Sequence, residues 1–372
     1  MEDVIYLTAF ILFQTSFLLQ LYYIFVVHQR LAVFKISEEP AAVNHPLSVI
    51  ICARNEEANL KKNLPQVLEQ DYEHFEVVVV NDCSADDSHL VLRELSERYA
   101  HLKVVTINEH MRFKHGKKFA VTLGIKAARH EHLVFTDADC TPASANWLRR
   151  IQQNFSGSTE IVLGYSPYEK LGGLLNKLIR FETFFTALNY LSYALKGDAY
   201  MGVGRNMAYK KSLFFRGKGF ASHMHIPSGD DDLFVNQNAT PVNTVIEIHP
   251  DGHVWSDPKT TWSGYVNQKL RHLGAGHAYK KAHQRMLTMQ VVSAIAFYVL
   301  LLVLIGLEAQ WWLLLGIFLI RAASQLWVYG RVLKKLSYGD LIWWLPVFDF
   351  IYYFYLLALS FSTLFKKKVQ WK

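Results

Sequence analysis

Between Val4 and Val27 the chain carries no charged side chain. Wound as an α-helix, a run of this length reaches about 36 Å, enough to cross the hydrocarbon core of a bilayer with some tilt. Glu2 and Asp3 precede it where a secretory signal carries basic residues, and no small-residue cleavage site follows. Residues 1–30 therefore read as a retained transmembrane helix and not as a cleaved leader. Arg30 and Lys35 lie just beyond it, so the positive-inside rule places the N-terminus outside and the following polypeptide in the cytoplasm. The expectation is an integral membrane protein, of the cell inner membrane in a bacterial host.

Three more apolar runs close the chain, giving a C-terminal membrane region over 281–372 with about three helices. Leu287 to Leu307 and Trp311 to Tyr329 read as a helical hairpin joined by Glu308-Ala309-Gln310, and Leu341 to Phe365 as a third span. Paired tryptophans at Trp311-Trp312 and Trp343-Trp344 suit the bilayer interfaces. Four full spans would return Lys366-Lys367-Lys368 to the outside, against the positive-inside rule. Either Pro346 and Asp349 mark a bent or re-entrant last segment, or the tail is an exception. Arg321 and Asp349 fall at similar depth, and an intramembrane charge needs a partner. They are expected to pair with each other, a lipid phosphate on Arg321 being the alternative.

The 51% hydrophobic content is concentrated at the two ends. The net charge of +7 comes largely from residues flanking the apolar runs, among them Lys280, Lys281, Arg285, Lys334 and Lys335. Anionic lipid accounts for that charge, and no nucleic-acid module is present. Cys52, Cys83 and Cys140 lack metal-ligand spacing and lie in the part assigned to the cytoplasm, so they are expected as reduced thiols.

Residues 31–46 read as a linker, with Pro40 and Pro46 as punctuation. Then apolar runs alternate with helical patterns: Leu47 to Ala53, a helix near Glu56 to Gln70, Glu76 to Asn81, a helix near Asp86 to Tyr99, Lys103 to Ile107, a helix near Gly116 to Arg129, and His132 to Thr136. Continuous Val/Ile-rich runs such as Val77 to Val80 indicate an α/β domain with a mostly parallel sheet covered by helices. Ligands of such sheets bind beyond the carboxyl ends of the strands. Polar residues gather at those ends: Arg54-Asn55-Glu56-Glu57, Asn81-Asp82, and Asp137-Ala138-Asp139. Any one segment suits ordinary loop or capping chemistry. Together they put three acidic segments on one edge, and Asp137 with Asp139 form a hard-oxygen pair suited to Mg²⁺ or Mn²⁺ completed by substrate phosphate. His115-Gly116-Lys117-Lys118 adds cations at a helix start, where phosphate is favoured.

In this order the motifs resemble glycosyltransferase family 2, the inverting enzymes with the GT-A nucleotide-diphospho-sugar transferase fold, a Rossmann-like arrangement. The similarity covers Leu47 to about His272 within a domain spanning 47–280. Ala53-Arg54-Asn55-Glu56-Glu57 looks like the family's first strand-to-helix turn, which puts Asn55 and Glu57 at the donor. Asp82 matches the acid that holds the nucleotide base. Gly116-Lys117 with Ala120 and Gly124 is similar to its Gly-Lys helix, with Thr122 where asparagine is common, and Asp137-x-Asp139 matches its metal motif. Gly202 to Tyr209 resembles its Gly-rich turn and offers Arg205 and Asn206 to substrate. Ser228-Gly229-Asp230-Asp231-Asp232-Leu233 stands where the family carries its acidic base, usually in Thr-Glu-Asp. Aligning Asp232-Leu233 with the acidic-Leu pair makes Asp230 the base, with Asp231 as runner-up. Gln268-Lys269-Leu270-Arg271-His272 looks like the Gln-x-x-Arg-Trp motif of membrane-integrated members, with His272 replacing Trp, and implies diphosphate contacts from Gln268, Arg271 and His272.

The resemblance implies a metal-dependent, inverting hexosyltransferase using a nucleotide-diphosphate sugar, most often a UDP-sugar, with Mg²⁺ or Mn²⁺. The tryptophan absent at His272 stacks under the acceptor in processive synthases, so a lipid or lipid-linked acceptor is favoured. Extension of a polysaccharide is the alternative, and a catalytically silent nucleotide-sugar-binding subunit the alternative of another class. Leu171 to Leu195, apolar but broken by Lys177, Arg180 and Glu182, reads either as an interfacial helix or as a core helix.

Overall fold

The computed structural model describes residues 2–38, 44–108, 116–226, 228–272 and 276–365, the side chains of 2, 271, 272 and 360–365 excepted. The chain divides into two compact units that interleave along the sequence. One comprises Lys35–Thr183 and Gly197–Tyr279, and the other Met1–Phe34, Phe184–Lys196 and Lys280–Lys367.

The first unit is organised by a seven-stranded sheet in the order β3-β2-β1-β4-β7-β6-β8. Its strands are β1 (Leu47–Ala53), β2 (Phe75–Asp82), β3 (Leu102–Ile107), β4 (His132–Asp137), β6 (Ile161–Gly164), β7 (Met207–Lys210) and β8 (Thr244–Glu247). A separate ribbon pairs β5 (Cys140–Pro142) with β9 (Val254–Ser256). The first four strands and the helices Glu57–Leu68, Ser88–Arg98 and Lys117–Ala127 between them fall within a residue or two of the expected runs, and all four strands are parallel. Val77, Val78, Val79 and Val80 are each fully buried, because helices cover both faces of β2. Gly124 permits the close approach on one face: a Cβ there would lie 2.7 Å from Cγ2 of Ile50.

Register sets the functional edge. Cys52 lies opposite Asp137 and Ala53 opposite Asn81, so the carboxyl ends of β1, β2 and β4 are level. Strand β7 enters antiparallel beside β4, with Met207 opposite Phe135. This reversal delivers Gly204-Arg205-Asn206, just before β7, to the end of β4 where Asp137 stands.

In the second unit, among the described residues, four helices are long and apolar enough to cross a membrane: Asp3–Val33, Lys281–Gly306, Trp311–Lys335 and Gly339–Leu359. The first contains a π-helical stretch, Tyr23–His28. Pro346 is the second residue of the helix Leu345–Phe365, where its missing N–H is tolerated, and it follows the 3-10 helix Gly339–Trp344. The expected ion pair is present: Arg321 Nη2 lies 2.9 Å from Asp349 Oδ2, with the side chains 2% and 1% exposed. Tyr298 OH donates to Asp349 at 2.5 Å, Gln325 Nε2 at 2.9 Å, and Arg321 also donates to Gln20 Oε1 at 3.1 Å. Arg321 is thereby closed inside the helices and not offered to a lipid phosphate. The tail Lys366-Lys367-Lys368 lies outside the described residues, as do 39–43 of the linker.

The helix Leu174–Leu195 runs through both units. Phe181, Leu188, Leu191 and Tyr193 along it are almost completely buried. It is a packed helix over most of its length. Its last part, 184–196, clusters with the unit that holds the apolar helices.

Candidate active site

At the level carboxyl edge a cleft is lined by Cys52, Lys117, Asp137, Tyr209, Asp230 and Asp231, with Ile50, Val121, Phe135 and Met207 beneath. Lys117 opens the helix Lys117–Ala127. Its Nζ stands 2.9 Å from Asp137 Oδ1 and 3.3 Å from Asp230 Oδ2. The three side chains are 22%, 29% and 12% exposed, so this charge cluster is only partly screened by water. Burial acts to lower the Lys117 ammonium, but Asp137, Asp230 and Asp231 outweigh it and hold the pKa well above its ordinary value.

The three consecutive acids have different surroundings. Gly229 has φ +96°, and a Cβ on it would meet Leu233 Cδ1 at 2.5 Å, so only glycine suits the turn that presents Asp230. Asp231 caps the helix Asp232–Asn238: Asp232 N–H donates to its Oδ1 at 2.8 Å and Gly204 N–H to its Oδ2 at 2.7 Å. Asp232 accepts from Leu233 N–H at 2.7 Å and from Tyr279 OH at 2.8 Å. Burial, then Asp231, pushes Asp232 up to about 7; burial and Asp230 likewise raise Asp231. Asp230 faces the Lys117 ammonium.

Asp137 ends β4 and Asp139 directly precedes β5, so the pair flanks a turn tied down by the β5–β9 ribbon. Burial pushes the nearby Cys52 and Cys140 thiols up, which keeps them protonated. The donors available to a cation at this turn are therefore carboxylate oxygens, a set that fits Mg²⁺ or Mn²⁺ and not a thiophilic ion. Arg205 lies within electrostatic reach of Asp139 and Asp137. It donates to Ser166 O at 3.2 Å, and its guanidinium carbon sits 4.4 Å from the centre of the Tyr168 ring.

Other expected residues stand apart from this cleft. Asn55 has φ 55°; its Oδ1 accepts from Ala85 N–H at 2.8 Å and its N–H donates to Ser84 Oγ at 3.0 Å. Glu57 N–H donates to Asp86 Oδ2 at 3.0 Å. These bonds tie the loop after β1 to the loop after β2, where Asp82 is fully buried. Gln268 Nε2 donates to Tyr168 OH at 3.2 Å, the same ring that carries Arg205. Arg271 and His272 end the helix Trp262–His272, and their side chains, like His115, lie outside the described residues. Asn206 is fully buried. It donates to Tyr165 O and Gly252 O, each at 2.8 Å, and accepts from Trp147 Nε1 at 3.1 Å. That corrects its assignment to substrate: it fixes the turn that delivers Arg205.

Lys118, expected beside Lys117 as a cation for phosphate, is instead 3% exposed and donates to His223 O at 2.6 Å and Ile226 O at 3.1 Å, anchoring the segment that leads to Asp230. One residue escaped the sequence reading: Tyr279 holds Asp232 from beyond the helix Trp262–His272, and no motif marked it.

Residues 48–216 match the family model described as glycosyl transferase family 2. Over 237 residues the chain is 24% identical to a probable glycosyltransferase, YdaM, of Bacillus subtilis, covering 60% of this chain and 54% of that protein. It is 31% identical over 138 residues to the 4,4'-diaponeurosporenoate glycosyltransferase of Staphylococcus haemolyticus, covering 35% and 36%. The chain thus spans about half the length of the first relative and a third of the second. Among solved structures it resembles the mannosyltransferase PcManGT of Pyrobaculum calidifontis, in complex with GDP-Man and Mn²⁺, with a TM-score of 0.60, 16% identity and coverage of 99% and 100%. The chain thus has the GT-A fold, and residues 48–216 are similar to glycosyl transferase family 2.

Proposed function

We propose that the protein is a membrane-anchored, inverting, metal-dependent glycosyltransferase. It moves a sugar from a nucleotide-diphosphate donor, a UDP-sugar by the family resemblance, to a lipid or lipid-linked acceptor at the cytoplasmic face. The observation that carries this reading is the single ammonium of Lys117 held between Asp137 and Asp230. A cation beside an acid of the metal motif, and beside a second acid whose oxygens are not consumed by a helix cap, is the arrangement that diphosphate departure and proton removal require.

Asp230 takes the proton of the acceptor hydroxyl. The acceptor oxygen bonds to the anomeric carbon on the face opposite the leaving group, and the bond from that carbon to the phosphate oxygen breaks, inverting the centre. Lys117 stabilises the negative charge on the departing diphosphate, with Arg205 and Arg271 as further positive groups. A divalent cation on Asp137 and Asp139 would supply additional counter-charge there. Asp82 holds the nucleotide. The acceptor assignment rests on His272 in place of the stacking tryptophan and on the four apolar helices.

The test supplies the full chain in detergent with UDP-glucose, UDP-galactose, UDP-N-acetylglucosamine or GDP-mannose, a total lipid extract, and Mn²⁺ or EDTA. Lipids gaining one hexose, in Mn²⁺ only, are the expected products by mass spectrometry. Asp230→Asn should lower turnover by at least about a hundredfold while retaining donor binding. A ladder of products would move the acceptor to a growing glycan, and full activity in Asp230→Asn would remove Asp230 as the base.

A further inference from the structure

The place assigned to a metal ion already holds a positive charge. With Nζ 2.9 Å from Asp137 Oδ1, the Lys117 ammonium occupies a lone pair of an oxygen that a divalent cation would approach to about 2.1 Å. A cation on that carboxylate would stand close to the ammonium, so the two positive charges disfavour each other there. Lys117 is also suited to leave: it is a point charge on a flexible four-carbon stem, and its second partner, Asp230, is a looser 3.3 Å away. Where it would go is set by its position on the first turn of a helix, whose N–H groups favour phosphate.

We propose that Lys117 is the resident counter-ion of Asp137 in the free enzyme, and that the donor diphosphate draws it off. Metal and nucleotide then bind as one unit, and free metal is kept out. This rests on the reading of Asp137 and Asp139 as metal ligands. Without Lys117, the carboxylates of Asp137, Asp139 and Asp230 stand closer to uncompensated, which favours a free divalent ion, whereas the diphosphate loses a cation. The two affinities must therefore move in opposite directions.

The experiment measures Mn²⁺ binding to the full chain in detergent by the loss of the free-ion electron paramagnetic resonance signal. Binding of UDP and of GDP in saturating Mn²⁺ is measured by calorimetry. Lys117→Met should bind free Mn²⁺ on the order of tenfold more tightly than the unsubstituted chain, and the better of the two nucleotides on the order of tenfold more weakly. Lys117→Gln serves the same purpose should the methionine variant misfold, since a misfolded chain loses both affinities together. Lys117→Arg, still charged, should bind free Mn²⁺ as weakly as the parent.

Free-Mn²⁺ affinity unchanged in both neutral variants, with Asp139→Asn abolishing Mn²⁺ binding, would overturn the counter-ion role and leave the metal site standing. Mn²⁺ binding unaffected by Asp137→Asn and Asp139→Asn would instead remove the metal site itself, and this inference with it.

Discussion

At the start of the helix Asp232–Asn238, backbone N–H groups of Gly204 and Asp232 take both oxygens of Asp231, while Leu233 N–H and Tyr279 OH take those of Asp232. Their burial has a consequence for stability. Asp232 is raised to about 7 by burial and then by Asp231. The groups facing it are Asp231, Asp230, Tyr279 and, at longer range, Lys118, itself lowered to about 8 by burial and so still cationic through most of this interval. A carboxyl whose folded pKa lies above its unfolded value near 4 binds its proton more tightly when folded. Its contribution is therefore most favourable below about 4, declines as pH rises, and is spent above about 7, a change on the order of a few kcal/mol. Asp232→Asn cannot ionise. Thermal unfolding in detergent at pH 5 and pH 8 should show the parent losing stability relative to Asp232→Asn, and parallel curves would refute the assignment. This difference among three adjacent acids was not legible in the sequence, because it depends on where the Gly204 and Leu233 N–H groups point. Asp137 and Asp139 were legible, since an apolar run ending in two acids needs no tertiary information to be noticed.

Among elements, the four parallel strands were readable because runs such as Val77 to Val80 are apolar at every position, a pattern that burial on both faces requires. The short strands β5 to β9 were not, as three or four residues carry no periodicity. The apolar helices were equally plain, and their internal polar cluster gives a prediction of its own. Tyr298 from Lys281–Gly306, Arg321 and Gln325 from Trp311–Lys335, and Gln20 from the first helix meet Asp349 or its partner Arg321. Asp349→Ala strands a buried guanidinium, which should destabilise the helices by about 3–5 kcal/mol. Replacing both members, as in Arg321→Met with Asp349→Leu, should recover most of that. Thermal unfolding of the purified chain reads the comparison; a single variant as stable as the parent would show that the pair does not hold these helices.

For the whole molecule, what the sequence could not reveal is that its two units interleave. Helical periodicity continues unbroken from Leu174 to Leu195, and nothing in that period marks Phe184 as the start of the stretch that joins the apolar helices. Sidedness is a separate property, set by charge: Glu2 and Asp3 before the first apolar helix, Arg30 and Lys35 after it. Electrostatics at the membrane favours retention of the basic flank on the cytoplasmic side. The unit bearing Lys117, Asp137 and Asp230 follows that flank, so under the proposed function a nucleotide sugar would be drawn from the cytoplasmic pool. Single cysteines at Asp3 and at Val242, the latter 71% exposed, test both ends of this arrangement against a membrane-impermeant maleimide, the parent chain giving the background from Cys52, Cys83 and Cys140. Asp3→Cys should label in intact cells and Val242→Cys only after the cells are opened. Labelling of Val242→Cys in intact cells would invert the molecule, put its catalytic edge outside, and require a donor exported across the membrane.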